Sequence, residues 1–357
     1  MILNIDELYM YRCLQLARAG AGWVAPNPMV GAVLVHDGEI IGEGYHRLYG
    51  EAHAEVNCIA SVQPAHRHLI SKSVLYVSLE PCAHYGKTPP CAQLIIHSGI
   101  PKVVIGCRDP FPEVNGKGIE QLLKAGVSVT TGVLEKECLE LNTRFFKFHT
   151  QQRPYIVLKW AQSGDGAIAM PDASVAHISN SFTNRMVHRW RSEEQAILIG
   201  TRTAMLDNPS LTTRLWPGRN PIRLVIDREL KLPHHLQVFD KTGPTIIFNE
   251  IRGNIRNADD LLVHNNGYYL LNRTGSMVEQ LVNALYQLRI QSVFVEGGAK
   301  LLQSFIDEEI WDEARIITND ALTIPGGIAA PTLNNGMLQG EDRFFTDRIS
   351  FYIRAKL

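Results

Sequence analysis

The sequence predicts an α/β protein of two domains, and three observations carry that reading. A chain of 357 residues is long for one compact core. Short apolar, strand-like runs alternate with amphipathic helical runs along it. A polar, basic stretch near Phe146–Pro154 (Lys147, His149, Gln151, Gln152, Arg153) ends at a proline and separates two such series. The expected domains are residues 1–148 and 154–357.

In the first series, Asn4 with Glu7 three residues on signals a helix cap, and an amphipathic run follows to Gly20. Val30–His36 and Glu39–Tyr45 flank Asp37-Gly38, a strong hairpin signal. A helix is expected from near His53, a strand over Val74–Leu79 and a helix from about Pro90 to Ser98. Strand Lys102–Gly106, helix Gly118–Ala125 and strand Val127–Thr131 complete an α/β sandwich. The second series opens with strand Tyr155–Ala161. Strands follow at Ala196–Gly200, Ile222–Ile226, Thr245–Phe248 and Ser292–Glu296, with helices near Thr183–Arg191 and Met277–Leu288. Gly297-Gly298 then feeds the helix Ala299–Ile306; strand, glycine pair and helix is how backbone N–H groups are aimed at a phosphate, and a plain turn reads as well. A closing strand is expected at Ser350–Ala355. No period of about 20–50 residues repeats, which excludes a solenoid.

Composition is that of an ordinary globular protein, 45% hydrophobic and 20% charged. A formal net charge of −1 gives no footing for general nucleic-acid or membrane affinity. No apolar run approaches the roughly 20 residues that span a bilayer. Met1–Glu7 carries two acids and no basic residue, unlike a signal peptide. The expected location is the cytoplasm, and the sequence leaves assembly into a homo-oligomer open.

The chemistry is carried by His53-Ala54-Glu55, Pro81-Cys82 and Cys91. One imidazole and two thiolates give a zinc ion three protein ligands and leave its fourth tetrahedral position for water. Bound zinc lowers the pKa of that water from 15.7 to about 7. Glu55, two residues from His53, points off the face that His53 uses and suits proton transfer rather than ligation. A lone cysteine or histidine would more simply be core; the combination just past strand ends, at two helix starts, favours a metal site. Cys13, Cys58, Cys107 and Cys138 lie in apolar runs and read as core.

These residues belong to longer motifs. Pro26-Asn27-Pro28-x-Val30-Gly31, Gly42-x-Gly44-Tyr45-His46 and His53-Ala54-Glu55 run in order. Leu79-Glu80-Pro81-Cys82-x-His84-x-Gly86-Lys87-Thr88-Pro89-Pro90-Cys91 follows them. The second half has Leu158-Lys159-x-Ala161-x-Ser163-x-Asp165-Gly166 and Arg191-Ser192, then Thr203-x3-Asp207-Asn208-Pro209-x-Leu211 and Val295-Glu296-Gly297-Gly298. Over roughly residues 5–330 the chain resembles the bifunctional deaminase/reductase of riboflavin biosynthesis. The resemblance implies a cytidine-deaminase-like α/β/α sandwich followed by a dihydrofolate-reductase-like α/β domain, with Zn2+ and NADPH as cofactors. It implies deamination of 2,5-diamino-6-(5-phosphoribosylamino)pyrimidin-4-one, then reduction of the ribosyl to the ribityl chain, on small phosphorylated pyrimidines. It makes Asn27, His46 and Lys87 the deaminase substrate contacts, and Glu55 the proton carrier beside the zinc ligands His53, Cys82 and Cys91. Ala161, Thr203 and Asp207 go to NADPH, with Gly298, Ala299, Lys300 and Leu301 as its pyrophosphate seat. Arg191, Leu211, Arg214 and Glu296 go to the reductase substrate, the two arginines suiting a phosphate through planar donor geometry. The pattern departs at Val175-Ala176-His177-Ile178-Ser179, where relatives usually show a Ser and then a Trp. Val175 then replaces a hydroxyl facing substrate, and His177 replaces an indole facing the cofactor with a smaller ring.

Three other readings compete. A nucleic-acid-base deaminase conflicts with the near-zero charge and the eight residues between Cys82 and Cys91. A binding module with structural zinc conflicts with the open fourth position. A deaminase carrying a degenerate, non-reducing nucleotide-binding domain is the alternative that Val175 and His177 leave open.

Overall fold

The computed structural model describes residues 4–83, 89–263 and 266–355. It divides into two units, Met1–Gln151 and Gln152–Leu357.

The first unit opens with α1 (Ile5–Arg18), capped reciprocally by Asn4 and Glu7 as their spacing predicts. β1 (Gly31–His36) and β2 (Glu39–Tyr45) form the expected hairpin, and Asp37 and Gly38 both take positive φ, 47° and 82°. The chain continues through α2 (Ala54–Ala60), β3 (Val74–Leu79), α3 (Cys91–His97), β4 (Lys102–Cys107), α4 (Lys117–Lys124) and β5 (Ser128–Thr131). It ends in α5 (Glu135–Leu141) and α6 (Thr143–Gln151). Among the described residues the sheet order is β2-β1-β3-β4-β5, with β3, β4 and β5 parallel. Alternation along β1 explains the layers: Ala32 and Leu34 bury against α2, α3 and α4, while Val33 and Val35 bury against α1 and α5. Gly44 permits the approach of α2, because a Cβ there would lie 2.2 Å from the Cys58 nitrogen. The unit is the expected α/β/α sandwich. Residues 146–151 of the polar stretch lie in the helix α6, one side of which Phe145 and Phe148 bury, and the boundary between the units falls at its end.

The second unit runs β6 (Tyr155–Ser163), β7 (Ala167–Ala169), α7 (Ser181–Glu193), β8 (Ala196–Gly200), α8 (Thr201–Asp207), β9 (Ile222–Ile226), β10 (Thr245–Asn249), α9 (Ala258–Val263) and β11 (Asn266–Leu270). It continues with α10 (Met277–Gln287), β12 (Ser292–Gly297), α11 (Ala299–Asp307), β13 (Glu313–Asn319), β14 (Ile328–Ala329), β15 (Gly336–Phe344) and β16 (Asp347–Arg354). Among the described residues one sheet takes the order β11-β10-β9-β8-β12-β6-β13-β16-β15, parallel up to β13 and antiparallel beyond it. Tyr155 and Val157 face a core shared with α7, and Ile156 and Leu158 face one shared with α10 and α11. No helix of the described residues is long and apolar enough to cross a membrane.

Candidate metal centre and cofactor cavity

In the first unit the site gathers where strands end. His53 is the N-cap of α2, Cys91 is the first residue of α3, and Cys82 follows β3 by three positions. His53 Nδ1 lies 3.6 Å from Cys82 Sγ and 3.4 Å from Cys91 Sγ. Zinc bonds of about 2.0–2.3 Å at the tetrahedral angle place N and S donors roughly 3.5 Å apart, so both N–S separations fit zinc. All three donor atoms lie within 4.8 Å of one another, and among the described residues no other such group of His, Cys, Asp and Glu forms. The Cys91 side chain holds the Cys82 thiol down to about 4 against the opposing effect of burial, with His53 assisting. The Cys91 thiol is pushed up in turn by its bond to Cys82 and by burial.

Glu55 lies in the first turn of α2 and stands outside the donor group. Only 3% of it is exposed, and its carboxylate bonds Cys91. Burial, and then the neighbouring Cys82, push it up to about 7, a value suited to exchanging protons near neutrality. His46 lies beside His53, and Asn27 bonds His46. The His46 ring stands edge-on to His53, centroids 5.3 Å apart. Its Nδ1 donates to the Ala52 carbonyl (3.1 Å), so Nε2 accepts from Asn27 Nδ2 (3.1 Å). Burial lowers the pKa of His46, which keeps the ring neutral and the Asn27 amide oriented. Lys87 lies outside the described residues.

In the second unit a cavity of about 650 Å³ opens at the C-terminal ends of the parallel strands β6, β8 and β12, where open α/β sheets bind ligands. Ala161 lines it from β6, and Val175 and His177 from the segment before α7. Arg191 reaches it from α7, Thr203 and Asp207 from α8, and Leu211 from just beyond. Glu296, Gly298, Ala299, Lys300 and Leu301 complete it from β12 and the start of α11. Arg214 is not on this wall; it is exposed and bonds Ser210 Oγ at 2.9 Å.

Two features here escaped the sequence reading. The Arg191 fork meets Glu296 in a bidentate pair, both bonds 2.7 Å, and its Nη1 also donates to the Thr212 carbonyl. Burial pushes Glu296 up, but Arg191 and Lys159 outweigh it and hold the carboxyl down to about 2. Lys159 also lines the cavity, and burial lowers its pKa while Glu296 opposes that. Its sequence signals are a lysine within the apolar run Tyr155–Ala161 and its place in the motif that begins Leu158-Lys159.

Comparison with known proteins bears on both halves. Residues 154–340 match the family model of the RibD C-terminal domain, and residues 3–107 match that of the cytidine and deoxycytidylate deaminase zinc-binding region. The riboflavin biosynthesis protein RibD of Aquifex aeolicus is 40% identical over 328 residues, covering 91% of this chain and 89% of its own length. Its counterpart in Escherichia coli is 34% identical over 350 residues, covering 90% and 92%. A diaminohydroxyphosphoribosylaminopyrimidine deaminase/5-amino-6-(5-phosphoribosylamino)uracil reductase from Thermotoga maritima, solved by crystallography, matches with a TM-score of 0.87 at 34% identity, covering 98% of this chain and 99% of that one. Acinetobacter baumannii RibD matches with a TM-score of 0.87 at 28% identity, covering 99% of each chain.

Proposed function

Because the chain belongs to the RibD family of riboflavin biosynthesis proteins, we propose that it performs two consecutive reactions on one small phosphorylated pyrimidine. The first removes the 2-amino group of 2,5-diamino-6-(5-phosphoribosylamino)pyrimidin-4-one, and the second reduces the ribosyl chain of the product to ribityl. The observation that carries this reading is the convergence of His53, Cys82 and Cys91, with Glu55 buried beside them but outside the donor set.

His53, Cys82 and Cys91 would hold zinc, which when bound acidifies a water to a pKa of about 7 and so supplies the nucleophile. Glu55 would take a proton from the attacking water and deliver it to the departing ammonia. Asn27, fixed by the neutral His46, turns its remaining amide atoms to the pyrimidine. In the second unit the segment Gly298–Leu301, with Ala161, Thr203 and Asp207, would hold NADPH, which supplies a hydride. The protein's part is to set the opened sugar against the nicotinamide. Glu296 and Leu211 border the substrate side; Arg214, off the cavity wall and bonded to Ser210, would reach the phosphate only by swinging toward it. The paired Arg191 anchors Glu296. Gathering of cofactor and substrate positions in one cavity favours hydride transfer over a non-reducing nucleotide-binding module. Thiolate donors need a reducing compartment, which favours the cytoplasm.

Incubating the protein with the diaminopyrimidine phosphate and following products by mass tests the proposal. The deaminated compound alone is expected without NADPH, and the ribityl product with it. Absence of any deaminated product from zinc-loaded protein would overturn the first step. Absence of ribityl product from the deaminated compound and NADPH would overturn the second.

A further inference from the structure

Of the three proposed zinc donors, Cys82 alone lies outside a helix or helix cap, although the start of α3 reaches it: the Cys91 N–H donates to its Sγ (3.3 Å) and the Ala92 N–H to its carbonyl (3.1 Å). His53 caps α2 and Cys91 begins α3, whereas Cys82 lies beyond β3 outside any helix or strand. Two residues before it stands Glu80, a carboxylate that is only 3% exposed and belongs to neither the donor set nor the proton path.

The partners of Glu80 are four backbone N–H groups. Oε2 accepts from Gly116 (2.9 Å) and Asp109 (3.3 Å), and Oε1 accepts from Gly118 (3.0 Å) and Ile119 (3.3 Å). Gly116 is the N-cap of α4, with φ +90° and no side chain to satisfy the helix's free donors. Glu80 supplies that cap from just beyond the end of β3, and places its oxygens where the helix dipole favours negative charge.

Residues 116–121 touch the Cys82 segment at two further points. A Cβ on Gly118 would lie 2.0 Å from the Pro81 carbonyl oxygen, so only glycine lets α4 press this closely. Gln121 Nε2 donates to the Ala83 carbonyl at 3.4 Å. Behind, the Glu80 N–H donates to the Cys107 carbonyl at 3.0 Å, fixing the exit of β3 to the end of β4. The start of α4 therefore grips the chain on both sides of the donor.

We infer that Glu80 is a positioning residue for the deamination. By capping α4 in trans it fixes the start of that helix against residues 80–83, and so sets the place of the Cys82 sulfur relative to His53 and Cys91. The inference rests on the zinc reading above.

The test uses the full-length protein loaded with Zn2+ or Co2+. Glu80→Gln keeps the shape but turns an NH2 group toward two backbone N–H groups, so one oxygen's pair of bonds is lost. Loss of an outer partner typically costs about 10–100-fold in metal affinity or activity. Zinc release to a chelator should therefore quicken by about 10–100-fold, kcat should fall by a similar factor with KM changed less, and the Co2+ visible spectrum should shift. Gln121→Ala, a truncation outside the buried core, should quicken release severalfold and carries the test should Glu80→Gln not fold. A folded variant with wild-type spectrum and release rate would reduce Glu80 to a helix cap and overturn the inference. Failure of wild-type protein to take up zinc or cobalt at all would instead overturn the zinc reading on which it depends.

Discussion

Arg191→Ala should destabilise the second unit in a pH-dependent way. Arg191 and Glu296 form a bidentate pair with side chains only 12% and 9% exposed. Removing one member of a buried pair typically costs about 3–5 kcal/mol, because the other charge is left without compensation. Lys159 remains beside Glu296 and offsets part of that charge, which points to the lower end, about 3 kcal/mol. For a domain of this size, each kcal/mol moves the melting temperature by about 2–4 °C, so a fall of about 6–12 °C is expected near neutral pH. The sign of the pH dependence follows from Glu296. In the wild type its carboxyl is held down to about 2, so its contribution is complete above the ordinary carboxylate value and is lost as pH falls toward 2. In the variant, burial acts with less opposition and the carboxyl rises, so the penalty at neutral pH shrinks as the group takes up a proton. Calorimetry of the full-length protein should show a gap between variant and wild type that narrows from about pH 7 to about pH 4. Adding Glu296→Gln to Arg191→Ala should recover part of the loss. A gap of less than about 2 °C at pH 7, or one that does not change with pH, would refute the reasoning.

Metal analysis should find about one zinc per chain, and Cys82→Ala should lose it; full retention in a Cys82→Ala/Cys91→Ala double variant would remove these residues from the site. Glu55→Gln should keep zinc while deamination falls by about 10²–10⁴-fold, and loss of zinc with activity would make Glu55 a ligand. A fragment ending at Gln151, which keeps α6 whole, should fold and deaminate without NADPH, and failure to fold would show that the first unit depends on the second. His177→Trp should lower the NADPH dissociation constant by roughly 2–10-fold through larger ring contact, with deamination unchanged; an equal or weaker dissociation constant would show that His177 does not face the cofactor.

How far the sequence could be read depended on where each residue's partner lies. The Asp37-Gly38 hairpin and the Asn4–Glu7 box are closed by neighbours in the chain, and both stand where their spacing put them. His53, Cys82 and Cys91 were legible for another reason: zinc accepts few residue types, so chemistry narrows the reading even when the donors lie far apart. β13 was not legible, although it sits between β6 and β16 within the sheet. It carries Glu313 and Arg315, and Arg315 is buried where it pairs with Glu313, approaches Glu194 and lies over the Trp190 and Phe294 rings. Local hydropathy therefore argues against a strand that distant pairing permits. β15 was hidden oppositely, since an edge strand exposed along nearly its whole length has no apolar face to betray it. Glu55 and Glu80 show the same limit within one site. Both are glutamates two residues from a proposed zinc donor, and both are 3% exposed. Burial, and then the neighbouring Cys82, raise Glu55 to about 7, whereas Glu80 accepts from backbone N–H groups of residues 109, 116, 118 and 119. Residue type and spacing make the two alike; the partners, brought in by the fold, suit one to the proposed proton transfer and the other to the proposed clamping of α4.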